Sequence, residues 1–268
     1  MTSAVEQRVT EYRQRRTALE AFDVNCWLGS PLEPAFTLLD GVADLKAALH
    51  RYGIRRAVVS HTMCVRYGAM EGNRELLEAI GGQRDWVAAA TLVPEMASGG
   101  GWDKLLRAMV ADGVRVVRLF PRSHNFLLAD DFLGRMLVAV RDLRLPLMIR
   151  HTEAAWPEIA RLLGKFPDLP VIVEGTGRKL FYDNRSYYPL LERYGNLFLE
   201  THNVTNYLGL DDLVKRFGSR QFLFGSYFPH LDPNSSLMPI GDGEMEEEDR
   251  LNVAHANLER LLAEVQVR

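Results

Sequence analysis

What the chain has little of narrows its class first. Only two of its 268 residues are cysteine, Cys26 and Cys64. That is too few for a disulfide framework, so a reducing cytoplasm is the expected compartment. No apolar run reaches the roughly 18 residues of a membrane span, and the opening MTSAVEQRVTEYRQRR carries charge where a secretory leader has an apolar core. Neither sign of charge dominates. The 32 Lys and Arg stand against 35 Asp and Glu, for a net charge of −3, which gives no reason to expect nucleic acid or an anionic membrane surface as partner. No Gly-x-Gly-x-x-Gly follows an apolar run, and there is no P-loop, so nucleotide-binding folds lack their signature. Internal repeats and low-complexity segments are absent as well.

What is present is an ordinary globular balance, 47% apolar and 25% charged, with a regular alternation. Short runs rich in β-branched residues occur at 21–28, 55–61, 86–93, 114–120, 145–151, 169–175, 197–202 and 221–226. Their length and turn boundaries predict strands buried on both faces. Between them, apolar residues fall at helical spacing: Val42, Leu45 and Leu49; Leu76, Leu77 and Ile80; Leu105, Leu106 and Met109; Phe132, Met136, Leu137 and Val140; Ile159, Leu162 and Leu163. The same pattern runs on to a final helix from Leu251 to Val265. Glycines after basic last turns, in RYG (51–53), RYG (193–195) and RFG (216–218), read as helix stops. Eight strand–helix units in one chain predict a (β/α)₈ TIM barrel over 1–268 as a single domain, with an extra helix at 1–19 outside the barrel. An open doubly wound sheet is the alternative, and it lacks its glycine loop. The segment 227–244 has no periodicity and is expected to cover the mouth as a loop.

Four stretches in order, FDVNCWLG (22–29), VVSHT with EGNREL (58–76), FLFGSYFP (222–229) and NLERLL (257–262), resemble the amidohydrolase superfamily, specifically its amidohydrolase-2 group of metal-dependent hydrolases and decarboxylases. The resemblance implies a TIM barrel and a divalent metal at the C-terminal mouth. The family's ligands are two histidines from strand one, one each from strands five and six, and an aspartate from strand eight. In this chain those places carry Asn25 and Trp27, then Arg150 beside His151, then Glu174 or Gly175, then Tyr227. Tryptophan offers only a donor and arginine no usable lone pair, so no metal and no cofactor are expected at the usual place.

Strand alternation predicts that Asp23, Asn25 and Trp27 face the barrel interior while Cys26 turns away as a buried hydrophobe. Cys64 lies three residues beyond His61, but without an oxyanion motif an ordinary thiol is the better reading. Arg118 and Arg150 end neighbouring strands. They either clamp an anion or pair with glutamates such as Glu174, Glu153 and Glu200, and the two readings are even. Four residues are expected to carry chemistry: His151, Glu174, Tyr227 and His61. Arg118, Arg150, Asn25, Trp27 and His202 are expected to bind substrate. The partner implied is a small, anionic substrate, and a homodimer stays open because barrels of this kind often pair. Three functions are weighed. The first is an amidohydrolase-like hydrolase or lyase working without the usual metal. The second is a non-catalytic barrel that binds a small ligand or a protein. The third, well behind, is a metal enzyme with relocated ligands at His151, Glu174, His202 and His230.

Overall fold

The computed structural model describes residues 3–97, 101–175, 183–204, 206 and 208–267, the side chains of 130–132 excepted. The ends of the expected 1–268 span and the place of Phe132 in its helical stripe lie outside the described residues.

Eight parallel strands pair in chain order: β1 (Phe22–Leu28), β2 (Arg56–His61), β3 (Trp86–Thr91), β4 (Val114–Leu119), β5 (Leu147–Arg150), β6 (Val171–Glu174), β7 (Leu197–Glu200) and β8 (Phe222–Leu223). The ring is nearly closed. Val24 N–H donates to Phe224 O at 3.0 Å, and Trp27 N–H donates to Phe228 O at 2.8 Å. The predicted TIM barrel is therefore correct. The helices are α1 (Ala4–Ala18), α2 (Val42–Arg51), α3 (Met63–Arg66), α4 (Ala69–Ile80), α5 (Gly101–Ala111), α6 (Asp130–Asp142), α7 (Trp156–Lys165), α8 (Asn184–Arg193), α9 (Gly209–Phe217), α10 (Asn234–Gly241), α11 (Glu247–Leu251) and α12 (Asn257–Ala263).

The barrel interior is layered by the period of two along each strand. Phe22, Val24, Val58, Ala89, Val116, Met148, Ile172, Phe198 and Leu223 form one apolar cluster, closed by Leu258 and Leu261 of α12. Two residues further along their strands lie Ser60, Arg118, Arg150, Glu174 and Glu200, a polar layer directly above the apolar one. A second apolar shell, which includes Cys26, Val59, Ala90, Val117, Ile149 and Val173, joins the outer face of the strands to the helices.

Three sequence expectations change. Register on β1 runs from Asp23 opposite Ala57 to Cys26 opposite Val59, one residue more than on its partner, so β1 carries a bulge. The bulge lets Val24 and Asn25 both serve the interior. Asp23 instead accepts Asn25 N–H at 2.9 Å and Ser226 N–H at 3.0 Å and contacts Cys26 Sγ at 3.0 Å, away from the mouth. The final helix is not uniform, because a π turn at Asn252–Ala256 separates α11 from α12. Finally, 227–244 is not all loop. α10 buries Ser236, Leu237, Ile240 and Gly241, a helical spacing that Pro233 and Pro239 obscure in the sequence.

Outside the barrel, α1 starts on a capping box in which Ser3 and Glu6 cap each other's backbone. It docks on α10, where Tyr12 Oη donates to Asn234 Oδ1 at 3.0 Å and Arg16 Nη1 donates to the same oxygen at 2.8 Å.

Candidate active site at the barrel mouth

The polar layer is one connected network. Arg118 is 1% exposed and donates to Ser60 Oγ at 2.8 Å, to Asn25 Oδ1 at 3.3 Å and to Glu174 Oε2. Its guanidinium lies 4.5 Å from the centre of the Trp27 ring, a desolvated cation–π contact. Arg150 donates to the other Glu174 oxygen at 2.8 Å and to Tyr227 Oη at 3.1 Å. Tyr227 Oη in turn donates to Glu33 Oε1 on the exposed rim at 2.9 Å. Two guanidiniums thus share one fully buried carboxylate. Burial alone would raise the Glu174 pKa, but Arg118 and Arg150 outweigh it and hold the carboxyl below its ordinary value.

Asn25 ties this cluster to a second one. Its Oδ1 also accepts Trp27 Nε1–H at 2.9 Å, and its Nδ2 donates to Glu200 Oε2 at 3.3 Å. Trp27 and Arg118 can only donate, which fixes which way the Asn25 amide points. Glu200, fully buried, accepts His202 N–H at 2.7 Å and pairs with His202 Nδ1. Room for that carboxylate comes from Gly225, where a Cβ would lie 2.1 Å from Glu200 Oε1. Tyr227 is stacked on both faces, with His202 4.9 Å away and His230 4.5 Å away between ring centres. Trp27, Phe120 and Tyr227 form their own apolar cluster above the polar layer.

The structure brings Asn25, Trp27, Arg118, Arg150, Glu174, His202 and Tyr227 together. His151 is adjacent: its N–H donates to Glu174 O at 3.0 Å, and burial lowers its pKa. His61 is not part of the group. It follows Ser60 on β2, so it points the other way, against Gly29 and Thr62, and its Nδ1 accepts Met63 N–H at 3.2 Å. The Arg118 side chain is sealed and bonded within the protein, to Glu174, Ser60 and Asn25. Both thiols are buried. Burial and the neighbouring Asp23 push Cys26 up, and burial takes Cys64 to about 11. The quoted EGNREL stretch serves packing. Gly72 lets α4 approach Cys64, and Asn73 Oδ1 accepts Thr91 N–H at 2.8 Å while its Nδ2 donates to Thr91 O at 2.8 Å.

Sequence reasoning missed the roles of Ser60, Glu33 and Phe120, and the bond between Glu200 and His202. Only the last had a local signal, a Glu and a His two apart at a strand end, which alternation puts on one face.

The family's metal does not fit this donor set. Both Glu174 oxygens are held by guanidiniums, and the positions beside it are an amide and an indole. The relocated set fails too. Tyr227 is stacked against both His202 and His230, at 4.9 and 4.5 Å between ring centres, and among the described residues these side chains do not converge on one point. Among the described residues no three His, Cys, Asp or Glu side chains converge as metal ligands do.

A family model described as Amidohydrolase (Amidohydro_2) matches residues 30–263. The chain belongs to this amidohydrolase family. A comparison with curated proteins finds no match. Among solved structures, it is similar to an uncharacterized TIM-barrel protein from Bordetella bronchiseptica, at 18% identity over 98% of this chain and 93% of that one, with a TM-score of 0.66. It is also similar to 2,6-dihydroxybenzoate decarboxylase from Rhizobium, at 16% identity over 91% and 98%, TM-score 0.67. A third is 5-carboxyvanillate decarboxylase from Novosphingobium aromaticivorans with bound manganese and 3-methoxy-4-hydroxy-5-nitrobenzoic acid, at 14% identity over 84% and 82%, TM-score 0.66. At these identities the similarity speaks for the fold.

Proposed function

We propose that this amidohydrolase-family barrel is a hydrolase or lyase acting on a small anionic substrate at its C-terminal mouth, without the family's usual metal. The observation that carries the reading is the couple of Arg150 and Tyr227. Of the two mouth guanidiniums, Arg150 is the one that touches solvent, at 10% exposure. It is backed by Glu174 on one side and by Tyr227 on the other, and a carboxylate from the rim, Glu33, already sits at the far end of Tyr227. A substrate carboxylate entering the mouth competes with Glu33 for that end and gains charge-assisted hydrogen bonds from Arg150. In this reading Arg118 is the internal cation that fixes Glu174, and Asn25 and Trp27 fix Arg118. The acids named for the neighbouring decarboxylases are of the same kind, small aromatic carboxylates.

The test is calorimetric titration with 2,6-dihydroxybenzoate, alongside mass spectrometry for decarboxylated or hydrolysed product. Saturable binding that weakens by about 10-fold or more in Arg150→Gln, the worth of one charged hydrogen bond, supports the reading. No saturable binding by the wild type removes it. A second reading, a non-catalytic barrel, is favoured by one observation: Trp27, Phe120 and Tyr227, each nearly unexposed, fill the mouth. That reading requires binding without product.

A further inference from the structure

We infer that Glu200 and His202 form a proton-transfer pair, with Glu200 holding the Nδ1–H so that Nε2 accepts a proton from an O–H group in the mouth. This deepens the proposed function and rests on it. Three features of the structure support the inference, and none concerns titration.

First, the direction of the imidazole is set. Glu200 Oε2 pairs with Nδ1, while Glu200 Oε1 accepts the backbone N–H of the same residue at 2.7 Å. In the inferred pair Glu200 accepts from Nδ1–H, which leaves Nε2 as the ring nitrogen open to a proton. Second, that nitrogen is sealed from bulk water and has no hydrogen-bond partner among the described residues. A structural histidine normally satisfies both nitrogens, because an orphan costs about 1–3 kcal/mol. An unmatched acceptor on an otherwise tightly held ring is the pattern of a base awaiting its donor. Third, the ring cannot turn. Tyr227 stacks on it with the planes 20° apart, and Asn25 Nδ2 holds Glu200 from the other side at 3.3 Å.

The step balances simply. The O–H proton of a bound ligand or water moves to Nε2, the lone pair of Nε2 forms the new N–H bond, and the resulting imidazolium is neutralised by Glu200. The proton returns to the product, and no redox partner is involved. His202 is the catalytic residue and Glu200 a positioning residue. The other titratable groups around the ring are Tyr227, Glu174 and His151.

The deciding experiment is nitrogen-15 histidine NMR on the full chain at neutral pH. The proposal expects His202 to carry its proton on Nδ1 with a bare Nε2, and Glu200→Gln to shift that balance. A free protein with Nε2 protonated and Nδ1 bare overturns it. Added 2,6-dihydroxybenzoate should move the Nε2 signal toward the protonated form; saturable binding that leaves the signal unmoved also overturns the pair. Failure of all binding counts instead against the anionic-substrate reading, while the free-protein tautomer still judges the pair. Where turnover is found, His202→Gln should lower kcat by about 10²-fold or more with KM nearly unchanged. An equal effect on KM alone contradicts the role.

Discussion

Replacing Glu174 by glutamine keeps its shape but removes the one charge shared by two buried guanidiniums. The amide keeps a single acceptor oxygen, so one arginine loses its partner. Arg118 and Glu174 are 1% and 0% exposed and Arg150 is 10% exposed, so water cannot step in to solvate the orphan. Breaking a buried pair from one side costs about 3–5 kcal/mol. In a chain of this size each kcal/mol moves Tm by roughly 2–4 °C, so a fall of about 10 °C is expected in calorimetry, with a matching shift of the urea midpoint. Arg118→Met added to Glu174→Gln should recover part of the loss, because the stranded cation is gone. The pH dependence follows from the lowered pKa of Glu174. A carboxylate whose folded pKa lies below its unfolded value stabilises fully above the unfolded value, about 4.3, and loses that contribution as pH falls through the lowered one. Acid titration of stability should show this component in the wild type and not in Glu174→Gln. A loss under about 1 kcal/mol, the level of an exposed ion pair, would refute the picture of a sealed pair holding the mouth together.

Other expectations are more local. Gly225→Ala drives a Cβ to 2.1 Å from Glu200 Oε1, so denaturant titration should show a loss of about 1–3 kcal/mol and NMR a displaced His202. Tyr227→Phe removes the bridge between Arg150 and Glu33, which should cost about 1–2 kcal/mol on thermal melting. Glu33→Gln removes the rim carboxylate that competes for Tyr227 and should tighten 2,6-dihydroxybenzoate by calorimetry; an unchanged affinity would mean the anion binds elsewhere. His230 is held neutral by burial, with its pKa lowered to about 4. Between about 6.5 and 4 the unfolded chain binds the extra proton, so stability should fall as pH drops through that window, and NMR titration should find this ring titrating near the lower end.

The barrel itself was legible because its signals are local. Eight short apolar runs alternating with helical stripes need only the periods of two and 3.6 to be read. α10 escaped because two prolines break its pattern, and β8 shrank to Phe222–Leu223. There only half of the backbone stays in the ladder: Phe224 O still accepts Val24 N–H of β1, while Phe224 N–H donates to Val253 O at 2.9 Å. The side on which Asp23 falls depended on a bulge, which no local pattern in FDVNCWL announces.

By itself, then, the sequence determined the eight-unit fold and the polar ends of the strands, since each follows from residue type and spacing. Only the tertiary structure decided which charges neutralise which. Arg118 meets Glu174 across 56 residues of chain and Asn25 meets Glu200 across 175. Such pairings depend on strand register, on the space left by Gly225 and on burial, all of which exist only once the ring closes.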